Sequence, residues 1–326
     1  MLAIFAVTFP FFALVLCGYV ATRCALLPVA AIPGLSVFVL YFALSTMLFR
    51  FGAAIPLAQL LNFPLMLLYA VCSIVLVAAT ITASRNERIG IKDAAFGAMS
   101  AVYSNSGFMG IPLLVALIGE SAVAVVIVTL LVDQLLISSV CMSIAHTQGL
   151  GQSRGWRALT VAAVRSLKGA ALNPMLWSIL GGILFGLSGL TMPAPVAKTI
   201  ALLADAASPV ALFTTGAILA RNPLGAQRKS AAIDYLPLAL TKLIAHPLLI
   251  FLGLRGAQAM GFPFDTPTYM AVLLMAALPS ASNVSMLAER FGADSGRIAR
   301  VIMVSTVFSF PSFSALVWLL GVRAPG

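Results

Sequence analysis

Apolar residues run along this chain in long blocks separated by short polar stretches, and the blocks exceed what a soluble core needs. Windows of about 20 apolar residues, the length that crosses a bilayer as a helix, fall near 3–22, 29–49, 61–83, 94–118, 121–144, 172–189, 196–219, 233–254, 267–288 and 300–321. The pattern predicts an all-α polytopic membrane protein with ten transmembrane helices. Two blocks are built to interrupt their own helix. The fourth holds Ser104, Asn105, Ser106 and Gly107, followed by Gly110 and Pro112. Pro112 has no backbone N–H and its ring clashes with the preceding turn, while Gly107 and Gly110 ease unwinding. The ninth holds Pro279, Ser280, Ala281, Ser282 and Asn283. Lipid does not tolerate open backbone, so a break at this depth is shielded by protein or lines a cavity. Either one alone also reads as a proline kink. A pair in corresponding halves points to the binding site of a secondary transporter.

Loop charge sets the orientation. Fourteen of the nineteen Lys and Arg residues sit in alternate loops: Arg23; Arg85, Arg88 and Lys92; Arg154, Arg157, Arg165 and Lys168; Arg221, Arg228 and Lys229; Arg290, Arg297 and Arg300. Arg50, Lys198, Arg255 and Arg323 lie on the other side, and Lys242 lies within a block. The positive-inside rule puts the rich side in the cytoplasm and both termini outside. The first basic residue follows the first apolar run, which argues against a cleaved signal peptide.

The longest polar connection divides the chain into a first five-helix repeat (1–145), a cytoplasmic linker (146–171) and a second five-helix repeat (172–326). Five is odd, so related halves would be inverted in the membrane. Pro28 matches Pro193, Ala43-x-Ser45-x-x-x-Phe49-x-x-Gly52-Ala53 matches Ala207-x-Pro209-x-x-x-Phe213-x-x-Gly216-Ala217, Pro64-Leu65 matches Pro237-Leu238, and Ser104-x-Ser106 matches Ser280-x-Ser282. The offsets are 165, 164, 173 and 176 residues. Their common order supports an inverted repeat.

Composition agrees with this class. Mean hydropathy is +1.08, and only 9% of residues are charged, against about 25% in soluble domains. A net charge of +10 would suggest nucleic acid in a soluble chain; here it reports membrane topology, and no nucleic-acid partner is expected. Cys17, Cys24, Cys72 and Cys141 show no paired spacing and read as buried thiols rather than a disulfide or metal framework. No cofactor or metal is expected.

Several motifs resemble those of the auxin efflux carrier family, which includes plant PIN carriers and bacterial members. Asn105-x-Gly107-Phe108-x-Gly110-x-Pro112 is similar to the family's fourth span. Ala207-Ser208-Pro209-Val210-Ala211-Leu212-Phe213-x-x-Gly216-Ala217 is similar to its seventh. Lys242-Leu243-x-x-His246-Pro247-Leu248 resembles the eighth, and Pro279-x-x-x-Asn283 with Phe291-Gly292-Ala293-Asp294 and Ser305-Thr306 resembles the ninth and tenth. The chain departs from the family at Ser45, where a proline is usual, and its central loop is far shorter than in plant PIN carriers. The resemblance implies a scaffold of spans 1, 2, 6 and 7 and a transport unit of spans 3–5 and 8–10, with spans 4 and 9 crossing at their breaks. It also implies elevator-type alternating access, a homodimer, and small organic anions as substrates: carboxylates such as malate or malonate, or auxin-like acids. A bacterial inner membrane is the implied location.

Ionisable groups inside a membrane are costly and face a bundle interior or a cavity. Asp133 in the fifth block is a candidate proton or cation coupling site, with a structural hydrogen bond as the other reading. Asp205, mid-way along the seventh, is a second coupling candidate, though its implied scaffold position favours a structural or gating role. Lys242 is a candidate for neutralising a substrate carboxylate or pairing with Asp133; a permanent ion pair or snorkelling is the alternative. His246 is a candidate proton shuttle or a packed, hydrogen-bonded residue. Asn105 and Asn283, each offering donor and acceptor at a break where half-helix N-termini project positive partial charge, are the leading substrate contacts. Ser104, Ser106, Ser280 and Ser282 can add hydroxyls or bond only their own backbone.

These features predict a secondary active transporter of organic anions, proton-coupled, and not an enzyme. Alternatives are a sodium-coupled symporter of the bile-acid-carrier type, since unwound carbonyls with Asn and Ser oxygens can bind sodium, and an anion channel. Ser106-Gly107 has no His partner for a serine-protease mechanism, and no metal-ligand signature or nucleotide-binding loop occurs in the sequence.

Overall fold

The computed structural model describes residues 2–55, 62–146, 174–221 and 231–322. Apart from His146, the linker expected at 146–171 lies outside the described residues. The described chain folds into helices α1 (Leu2–Arg23), α2 (Val29–Ala54), α3 (Phe63–Ser84), α4 (Ile91–Val102), α5 (Ser106–Ile118) and α6 (Ser121–Ala145). The second half gives α7 (Pro174–Leu187), α8 (Ala194–Arg221), α9 (Ala232–Ala259), α10 (Thr266–Ala276), α11 (Asn283–Arg290) and α12 (Ser295–Leu319). Seven of them, α1, α2, α3, α6, α8, α9 and α12, are long and apolar enough to cross a membrane. This is a multi-pass membrane protein. The fourth and ninth apolar blocks each fold as two half-helices, α4 with α5 and α10 with α11.

Local chemistry sets several boundaries. The Asn62 side chain accepts from Leu65 N–H (3.1 Å) to cap α3, and Asp294 accepts from Arg297 N–H (2.8 Å) to cap α12, satisfying donors that a helix start leaves orphaned. Ser45 marks the departure from the family proline in α2. The helix stays continuous there through a wide turn, Phe38–Ala43, and the Ser45 hydroxyl donates to the Leu40 carbonyl (2.7 Å). In α8, where Pro209 stands at the matching place, the helix instead breaks between Asp205 and Ala207.

Close helix contacts gather α1, α2, α7 and α8. A Cβ on Gly216 of α8 would lie 1.8 Å from the Val15 carbonyl oxygen of α1, and one on Gly18 would lie 1.9 Å from that of Phe213. Between α7 and α2, a Cβ on Gly182 would meet the Phe49 carbonyl oxygen at 2.2 Å. Only glycine permits backbones to approach this closely, a common device where lipid supplies no hydrophobic drive between helices. The other helices pack mainly on one another: α3 on α4 and α9, α6 on α4 and α10, and α12 on α9. Cys72 and Cys141 are buried, but Cys17 on α1 and Cys24 just after it are exposed. An apolar run in a membrane has a lipid face as well as a packed one, so apolar neighbours in sequence do not imply burial.

Candidate functional site

The two breaks meet. Ser104 and Ser280 form an antiparallel bridge, with Asn105 N–H donating to the Pro279 carbonyl (3.0 Å) and Ala281 N–H to the Tyr103 carbonyl (3.1 Å). Backbone freed by one interrupted helix is thus satisfied by the other, as an apolar surrounding requires. The serine hydroxyls reciprocate. Ser104 Oγ donates to the Met275 carbonyl in the last turn of α10 (2.9 Å), and Ser280 Oγ donates to the Ser100 carbonyl in the last turn of α4 (2.6 Å).

The first gap spans Tyr103–Asn105 and precedes the residues expected to make it. Gly107, Gly110 and Pro112 lie in the helix that resumes. There, Ser106–Gly110 forms a wide π turn, and Met109 and Gly110 N–H both donate to the Asn105 carbonyl (3.1 and 3.0 Å). Pro112 removes a donor from this helix, and widening the turn lets other N–H groups reach the free carbonyls. Pro279 lies within the second gap, as expected.

Behind the bridge is a buried polar network. Lys242 Nζ donates to Ser104 Oγ (2.8 Å) and the Ala276 carbonyl (2.8 Å) and contacts His246 Nδ1 (2.9 Å). With Lys242 as an ammonium, which has three donors and no acceptor, Nδ1 accepts and the ring proton is on Nε2; Nε2 has no partner. Asp133 Oδ2 accepts from Ser104 N–H (3.2 Å) and Tyr69 OH (3.3 Å), while Asp133 Oδ1 is buried without a partner. Among the described residues no direct Lys242–Asp133 ion pair forms; Ser104 bonds to both. Asp133 and Lys242 both sit on π turns, Val132–Ile137 and Thr241–Ala245. The second is explained by Pro247, which cannot bond back to Leu243. In the first, the Ser138 and Ser139 hydroxyls take the Gln134 and Leu135 carbonyls.

On the opposite side of the bridge lies a cavity of about 380 Å³ between the breaks and α2, α7 and α8, lined by Tyr103, Ser104, Asn105, Ser106, Gln134, Ser282, Asn283 and Arg290 among others. Asn105 Nδ2 and Asn283 Oδ1 are buried without hydrogen-bond partners. A buried polar atom left unpaired is costly, so these amides are placed to receive a ligand. Ser280 is bridge rather than cavity wall. Lys242 is fully buried with its donors engaged and is not among the residues lining the cavity; it reaches the cavity wall only through the Ser104 hydroxyl. Asp133 and His246 lie in the same buried network. Asp205 stands apart, paired with Arg50 at 3.3 Å with both side chains largely exposed.

Three participants escaped the sequence reading. Tyr69 supports Asp133; Gln134 accepts from Tyr103 OH (2.6 Å) in the cavity wall; Ser305 Oγ accepts from Ser280 N–H (3.1 Å). The repeat offset held the signal for one of them. The 173-residue step that relates Pro64 to Pro237 also relates Tyr69 to Lys242.

Comparison with known proteins agrees with this architecture. A family model described as "Membrane transport protein" matches residues 3–319. A Rhizobium meliloti (strain 1021) protein named "Putative malonate transporter" is 27% identical over 316 residues, covering 95% of this chain and 94% of the relative. An "Uncharacterized transporter" of Methanothermobacter thermautotrophicus is 27% identical over 216 residues, covering 66% of this chain and 64% of the relative. With crossed half-helices and a family match over nearly its whole length, the chain belongs to the membrane transport protein family of auxin efflux carrier-like proteins.

Proposed function

We propose that this protein is a secondary carrier of small organic anions, with short dicarboxylates such as malonate as the leading substrates, coupled to protons and working by elevator-type alternating access. The observation that carries the reading is the buried, unpartnered Asn105 Nδ2 donor at the head of a cavity beside two bridged helix breaks. The N-termini of α5 and α11 begin at this bridge and direct positive partial charge toward the cavity. The similarity to a protein named for malonate supports the substrate class. The reading has ten spans in an inverted five-plus-five repeat, with α1, α2, α7 and α8 as scaffold and the other helices as the moving unit. It also has a homodimer in a bacterial inner membrane, with both termini outside.

Proton coupling is favoured over sodium by Lys242. Its ammonium already occupies the Ala276 carbonyl and the Ser104 hydroxyl, the oxygens a sodium ion at the break would need. Asp133 and His246, each with one unpartnered buried atom, are the groups that exchange protons.

The test is uptake of labelled malonate into proteoliposomes under a proton gradient, a sodium gradient or none, with Asn105→Ala in parallel. Uptake driven by the proton gradient and reduced at least about tenfold in the variant is expected, since a lost charge-assisted bond to a carboxylate is worth about 1.5–3 kcal/mol. Sodium-driven uptake overturns the coupling assignment, and an Asn105→Ala variant equal to wild type overturns the site.

A further inference from the structure

One charged side chain lines the cavity among the described residues: Arg290. Sequence position alone makes it a topology-setting loop charge. The structure ends α11 on it instead, seven residues after Asn283. Seven residues is nearly two full helical turns, so Asn283 and Arg290 share a face about 10 Å apart along the axis. Met286 and Leu287, at the intervening i+3 and i+4 positions, line the same wall. Arg290 is exposed where it lines the cavity, and because long helical side chains lean toward the N-terminus, its guanidinium has the reach to approach Asn283. Among the described residues Arg290 has no hydrogen bond or ion pair, and no carboxylate lines the cavity.

We propose that Arg290 receives the second carboxylate of a short dicarboxylate whose first carboxylate is held by the Asn105 amide N–H and the half-helix N-termini at the bridge, and that it sets the preference for diacids over monoacids. This rests on the carrier reading of the cavity given above. The chemistry fits the split. The Asn105 amide N–H and half-helix N-termini at the bridge recognise one carboxylate without a full charge, and a guanidinium fork recognises a second in bidentate fashion. The methylene between them lies against Met286 and Leu287. A monocarboxylate uses only the first station.

The experiment is calorimetric titration of purified protein in nanodiscs with malonate and with propionate, a monoacid of the same carbon count. Wild type should bind malonate more tightly. Arg290→Gln should lose about tenfold or more in malonate affinity, bringing it near that of propionate, while propionate affinity moves less than twofold. Arg290→Lys, which keeps charge but loses the fork, should fall between. Asn105→Ala should weaken both ligands together. Equal malonate binding by wild type and Arg290→Gln overturns the proposal alone, as does parallel loss of both ligands in Arg290→Gln. Absence of binding of either acid to wild type overturns the carrier reading and this proposal with it.

Discussion

At the first break the Ser104 N–H finds a carboxylate, Asp133, whereas at the second the Ser280 N–H finds a hydroxyl, Ser305. The two acceptors sit 172 residues apart, close to the 176 between the serines, so under the proposed repeat corresponding places carry different chemistry. The contrast extends outward. Tyr69 and Lys242, 173 residues apart, both converge on the first break, one through Asp133 and the other through the Ser104 hydroxyl. His246 joins Lys242, while Ser73 at the corresponding place is buried with an unpartnered hydroxyl. Backbone pairing at the crossing is therefore near-symmetric, and the buried charged groups that bond to it gather at the first break. Pairing the backbone needs only complementary serines and open N–H and C=O groups. Under the proposed coupling role, one charged set suffices.

The largest expected effect comes from removing the charge centre. Lys242→Met keeps much of the side-chain volume but leaves the Ala276 carbonyl unpaired and Asp133 without a nearby cation. Stranding one partner of a buried charged group costs about 3–5 kcal/mol. The melting temperature in detergent should fall well below that of any variant at the second break. A melting temperature equal to wild type would show that the charged side is not structurally coupled to the crossing.

Asp133→Asn separates structure from coupling. The amide oxygen still accepts from Ser104 N–H and Tyr69 OH, so the fold should lose no more than about 1 kcal/mol. Malonate should still raise the melting temperature, because Asp133 does not line the cavity. Uptake should no longer respond to a proton gradient, and counterflow of malonate against malonate should persist. Gradient-driven uptake in the variant would move coupling to His246.

The two breaks were legible in sequence because Pro, Gly, Asn and Ser are conspicuous inside apolar runs, their crossing only through the family resemblance, and the helices fall close to the windows that hydropathy marks. The position of the first gap was not. Pro112 and the two glycines looked like the weak point, but a π turn absorbs the missing donor, while residues 103–105 open because residues 279–281, distant in sequence, supply their hydrogen bonds. The direction of Lys242 was equally hidden. Periodicity says little about rotation in a helix that is apolar on nearly every side, and the π turn at Thr241–Ala245 shifts the register further. Arg290 shows the converse. Counted as a loop charge, it falls on the cavity face only because α11 starts at Asn283, a start set by the bridge rather than by a cap that sequence advertises.

The smallest expected effect tests the neutral side. Ser305→Ala removes the acceptor for Ser280 N–H but leaves the Ser280 hydroxyl on the Ser100 carbonyl and the bridge hydrogen bonds in place. The lost bond is neutral on both sides, and hydrogen bonds of that kind between membrane helices are worth about 0.6 kcal/mol on average. The melting temperature should drop slightly, and gradient-driven uptake should keep its pH response, because no charge has moved. That outcome, beside the loss of gradient response in Asp133→Asn, would assign the two corresponding positions different duties: one holds backbone, the other holds backbone and a proton. If Ser305→Ala instead abolishes the gradient response, the hydroxyl is part of the coupling path, and the asymmetry drawn from the distribution of charge is wrong.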